Sequence, residues 1–192
     1  MAGSQAMVLL ILGLVLFAGV HLVPSLAPGL KASWHGKFGE GGYKGSFSLL
    51  LLLSFGLIIA GWRSVQPELV YLPAPGIKHF ALMLIVLGFF LFVISNRPSR
   101  VRQWIRHPQL TGVLFWALAH LLLNGDNRSV TLFGALGVWA IVEIVAINRR
   151  EGAWVKADSP TITTEVISAA ITIVVVALVV SLHPYLSGMP VF

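Results

Sequence analysis

The chain has 192 residues, 57% of them hydrophobic and only 10% charged, with a mean hydropathy of +0.88. Ordinary soluble domains are about 25% charged, so this composition excludes one of them and points to a membrane. The absence of cysteine also excludes disulfides, thiolate metal sites and cysteine nucleophiles.

Taken in chain order, six apolar stretches can each cross a hydrocarbon core about 30 Å thick at about 1.5 Å per residue. The first is 5–24; nothing basic precedes it, and its apolar run is longer than a secretory signal uses, so it is expected to be retained. "VPSLAPGL" ends it, and "GKFGEGGYKG" reads as a flexible, glycine-rich loop with Trp34 and Tyr43 at headgroup depth. That loop lacks the spacing of a phosphate-binding loop. The second stretch is 46–62. "YLPAPGIKH" enters the third, 77–95, and "NRPSR" leaves it. Pro108 opens the fourth, 108–124, from a first-turn position where its missing N–H costs least. "NGDN" closes it as a tight turn before the fifth, 129–147. The sixth, 163–183, is rich in β-branched residues, yet a strand is not expected because an open sheet leaves backbone groups unpaired in lipid. The expected architecture is all-α: a single polytopic transmembrane bundle of about six helices over residues 1–192, in contact with membrane lipid.

The net charge of +6 does not indicate nucleic acid, because the basic residues lie in short loops. Lys31, Lys37, Lys44, Arg97, Arg100, Arg102, Arg106, Arg149, Arg150 and Lys156 occupy the odd-numbered loops; only Arg63, Lys78 and Arg128 occupy the even ones. Ten against three places the odd loops in the cytoplasm and both termini outside.

Ionisable groups within a span are costly and mark functional sites. His21, His120 and Glu143 lie inside spans, His79, His107 and His183 at span ends, and His35 in a loop. Glu143 lies near the cytoplasmic end of its span and is expected to pair with Arg149 or with Arg102, Arg106 and His107. Gly112, Trp116, His120 and Asn124 recur every four residues and form one helical stripe. His107 is thirteen residues from His120, about 20 Å along the axis, so the two cannot share a metal. "GLVLFAGVHL" in the first span lines up with "GVLFWALAHL" in the fourth, suggesting an inverted three-plus-three repeat. With opposite helix directions, His21 and His120 lean toward the midplane from opposite sides, their Cα atoms roughly 16 Å apart along the normal. A haem iron with one histidine on each face needs a Cα separation of roughly 12 to 13 Å, so a haem between them is one reading. In it Gly13 and Gly112 would give the macrocycle room, and Phe17 and Trp116 would pack on it. Each histidine could equally hydrogen-bond a neighbouring helix. His79 with His120, oriented by Asn124 and Asp126, is a competing pair.

"LVLFAGVH", "GEGGYKGSFSLL", "RHPQLTGVLFWALAHLLLNGD" and "LFGALGVWAIVE", in that order over nearly the whole chain, closely resemble the NnrU family of bacterial inner-membrane proteins. The resemblance implies a link to nitrite and nitric oxide metabolism in denitrification. The family is also similar to ζ-carotene isomerase, a membrane haem b enzyme that converts a cis double bond of a polyene to trans. That similarity implies haem b held by His21 and His120, and a hydrophobic small-molecule substrate. One position departs: the isomerase has a cysteine three residues before the second histidine, where this chain has Ala117, so ligand exchange through that thiol is unavailable. The other class of function is a non-catalytic membrane accessory or transport protein without a cofactor.

A C-terminal reporter active only in the cytoplasm should stay silent; strong activity from it would reverse the orientation.

Overall fold

A computed structural model describes residues 2–156 and 160–188. Among the described residues six α-helices follow one another: α1 (Ala2–Leu26), α2 (Pro28–Ser64), α3 (Lys78–Ser95), α4 (Pro108–Leu123), α5 (Asn127–Glu151) and α6 (Ile162–Ser187), with a 3-10 turn at Arg100–Gln103. The β-branched sixth stretch is helical, as the need to satisfy backbone groups in lipid requires. The protein is a helical membrane bundle.

Two elements depart from the expectation. The glycine-rich segment after α1 is helical rather than a flexible loop, and α2 runs for 37 residues, interrupted only at Gly39. Gly39 has φ 69°, ψ 178°, a conformation that a side chain would strain and that redirects the chain there. Trp34 Nε1 donates to Ser46 Oγ across this break at 2.9 Å. The second departure is α4. Among the described residues five helices are long and apolar enough to cross a membrane, whereas α4 has 16 residues, about 24 Å of rise against a core of about 30 Å. Pro108 sets its start and the turn after Asn124 its end, and α3 and α5 flank it.

The packed pairs give the order α2, α1, α5, α4, α3, α6 across the bundle. Small residues allow the closest approaches, as in membrane bundles without a hydrophobic drive between helices. Gly13 of α1 lies under Ser54 and Ile58 of α2, and Gly61 of α2 under Leu10 of α1. Gly88 of α3 and Gly112 of α4 face each other's backbone. The expected three-plus-three equivalence does not extend to these contacts. Gly13 faces the helix that follows its own, and Gly112 the helix that precedes it. Outward-facing Val15, Leu52, Val138 and Ile173 are exposed, as lipid contact requires.

The odd-numbered connections gather at one end. There Arg106 donates to the Gly152 carbonyl at 2.7 Å and pairs with Glu151, His107 meets Asn148 at 2.9 Å, and Arg150 donates to the Pro24 carbonyl at 2.6 Å. These contacts occupy two of the partners expected for Glu143. Glu143 is instead buried against α1, where the Ser25 hydroxyl donates to its Oε2 at 2.9 Å.

Gly112→Val places a side chain where even a Cβ would lie 2.8 Å from the Gly88 carbonyl and 3.0 Å from the Phe92 ring. Overpacking of this kind costs about 1–3 kcal/mol, so the variant should unfold at lower temperature in detergent. Gly134→Ala, which meets nothing within 4 Å, should not; equal behaviour of the two would refute the α3–α4 contact.

Candidate functional site

At the end opposite the basic loops, the chain between α2 and α3 is strapped across the α4–α5 turn. Val70 and Tyr71 N–H groups donate to the Gly125 carbonyl at 2.7 and 3.0 Å, and Asn127 N–H to the Glu68 carbonyl at 2.8 Å. Gly125 has no room for a Cβ, because the Tyr71 backbone lies against it. The Tyr71 hydroxyl donates to the Leu121 and Asn124 carbonyls, two of those left over at the end of α4. Asp126 caps α5, accepting from Ser129 N–H at 3.0 Å and from the Ser129 hydroxyl at 2.6 Å. Each residue of the "NGD" turn therefore has a structural reason, and together they set where α4 stops. Partial burial, and after it the Asp126 carboxylate, raises the Tyr71 phenol above its usual range. It stays a donor into alkaline solution.

Just inside this strap lies His120. Its Nδ1 is 2.8 Å from the Trp116 carbonyl of its own helix, and a carbonyl only accepts, so Nδ1 carries the hydrogen. The ring's other nitrogen, Nε2, is then the one with a lone pair. Asn124 donates its side-chain amide to the His120 carbonyl at 3.0 Å, closing the helix end behind the imidazole. Trp116 and Phe133 enclose the ring, with centroids at 4.9 and 4.3 Å.

The imidazole facing His120 is that of His183. The ring centroids are 6.4 Å apart and the planes inclined by 29°. On α6 the Ser187 hydroxyl donates to the His183 carbonyl at 2.9 Å and lies 3.2 Å from Nδ1, whose hydrogen it can accept. Both rings are thus steered through Nδ1, by a carbonyl on α4 and a hydroxyl on α6.

Two adjoining cavities share the pair. One, of about 280 Å³, lies among α3, α4 and α6; the other, of about 300 Å³, among α2, α4, α5 and α6. Trp116, His120, Asn124, Val179 and His183 line both. The space exists because, among the described residues, α6 packs closely on α3 and not on α4 or α5.

The other residues singled out in the sequence lie elsewhere. His21 sits among Phe17, Phe47 and Trp139, at centroid distances of 4.2, 5.8 and 5.1 Å, with Nδ1 on the Phe17 carbonyl at 2.9 Å. It lines neither cavity. Its neighbour Trp139 and the His120 neighbour Phe133 are six residues apart on α5, about 9 Å along the axis. Phe17 packs with His21, and Gly13 and Gly112 accommodate neighbouring helices. His79 is exposed at the start of α3 and lines neither cavity. Of the residues expected to bind a cofactor, Trp116 and His120 line the cavities, together with Asn124 of the same stripe. His183 joins them because α6 continues through Pro184, where the sequence suggests a span end.

Apolar helices enclosing two facing imidazoles beside a pair of cavities define a helical membrane protein with internal cavities. The family model described as NnrU protein matches residues 9–191, and the chain belongs to the NnrU family. No curated protein and no solved structure matches it.

Asp126→Asn keeps the helix cap but removes its charge, so it should lower the alkaline titration midpoint of Tyr71. Ultraviolet difference spectra referenced to Tyr71→Phe isolate this residue from Tyr43 and Tyr185; an unmoved midpoint would contradict the strap contact.

Proposed function

We propose that this NnrU protein is a membrane haem b protein in which His120 and His183 would hold the haem iron. The observation that carries the reading is the 6.4 Å separation of the two ring centroids. Metal–imidazole bonds are about 2 Å and a ring nitrogen lies about 1 Å from its ring centre, so imidazoles on opposite sides of one iron have centroids about 6 Å apart. Three further features fit. Each Nδ1 has a partner that orients the ring, as metal-ligating histidines do. The cavities supply space on both sides of the pair, and their walls are mainly aliphatic and aromatic. Among the described residues no group of three or more His, Asp or Glu side chains competes as a metal site.

Haem b, when bound, would supply an iron that can change oxidation state, and His120 and His183 are the residues that would hold it. The chain's own part is to hold the two rings at fixed separation, exclude water through Trp116, Phe133 and Val179, and close the α4 end with Asn124. That division suits electron transfer or redox sensing, and the resemblance to the NnrU family supports reading such a role as one in nitrite and nitric oxide metabolism. A second reading, haem-dependent isomerisation of a polyene, is favoured by the apolar stretch of the α3–α4–α6 cavity along Leu82, Ile85, Phe89 and Val176. A cofactor-free accessory protein is the outcome that would displace both.

Protein purified in detergent from haem-replete cells should show a Soret band. His120→Ala and His183→Ala should each lower its haem content by about tenfold or more, whereas His21→Ala should keep it. Colourless wild-type protein would overturn the proposal; loss in His21→Ala with retention in His183→Ala would move the site to the other pair.

A further inference from the structure

Each of the two cavities carries one cation, and both cations lie at the strapped end. Lys78, the first residue of α3, lines the α3–α4–α6 cavity. Arg63, the last residue but one of α2, lines the other. Both are solvent-exposed at the surface end. This end has one further lysine or arginine, Arg128, which lines neither cavity. Its guanidinium lies over the Trp62 ring at 4.4 Å and within 3.7 Å of Asp126. Apart from these cations, the imidazoles, Asn124 and Ser187, the walls are aliphatic and aromatic.

A molecule that fills both cavities therefore meets hydrocarbon along its body, the two imidazoles, and one positive charge in each cavity at the strapped end. An uncharged amphiphile gains little from either cation. A ligand with two carboxylates on one edge engages both through charge-assisted hydrogen bonds, the strong class of such bonds. We infer that Arg63 and Lys78 bind the two carboxylates of the ligand and turn its acidic edge toward the strapped end. The inference rests on the haem reading, since haem b is an apolar macrocycle with two propionates on one edge. Arg63 and Lys78 are positioning residues here, because neither is a ligand to the iron.

The test uses the full chain purified from haem-depleted cells and titrated with haemin or with haemin dimethyl ester, followed by the Soret band. Wild-type protein should prefer the diacid by about tenfold or more. The Arg63→Gln/Lys78→Gln double variant should lose that preference by weakening haemin alone, with diester affinity and Soret position unchanged; Arg63→Lys should retain part of it. Equal affinity of wild-type protein for diacid and diester would overturn the assignment and leave the haem reading intact. So would a double variant that loses affinity for both alike. Failure of wild-type protein to bind either porphyrin would instead overturn the haem reading and this inference with it.

Discussion

A polar side chain inside hydrocarbon must find its partner within the protein, and in this bundle that requirement shapes the interior. His21 and His120 answer it in the same way, each turning Nδ1 back to the carbonyl four residues earlier on its own helix. The hydrogen bond leaves Nε2 as the outward nitrogen and fixes the ring's direction. What distinguishes the two is what Nε2 can meet. Around His21 are Phe17, Phe47 and Trp139, whereas His120 faces a second imidazole beside open space.

That space depends on the packing of the helices. Glycines bring α1 against α2 and α3 against α4 at backbone contact, so those pairs leave no room for a ligand. α6 contains no glycine. Its inward side presents Val176, Val179 and Val180 to a cavity rather than to a helix. The strap over the α4–α5 turn then holds the end of α4, and with it His120, at the height of His183. Tyr71, Gly125 and Asp126 serve that placement without touching the cavities.

Most of the architecture can be read from hydropathy and punctuation, because lipid leaves helices as the only workable answer for long apolar runs that do not close into a barrel. Pro108 and the "NGD" turn mark both ends of α4, and the stripe Trp116, His120, Asn124 names the side of α4 that faces the cavities. The site's second half is not legible. Proline ordinarily stops a helix, so Pro184 hides the continuation of α6 and leaves His183 looking like a terminus. Likewise, Gly13 and Gly112 suggest room for a macrocycle, but a glycine also permits a neighbouring backbone to approach, and only tertiary contacts separate the two uses. Periodicity says which residues share a face; it does not say which helices meet.

The central claim is that one iron lies between His120 and His183. Low-temperature electron paramagnetic resonance of the ferric protein addresses it most directly. The wild-type spectrum should be low-spin, as two imidazole ligands produce. His183→Gly should convert it to high-spin, and added imidazole should restore the low-spin signal by entering the vacated position. A low-spin spectrum unchanged by His183→Gly would contradict the account.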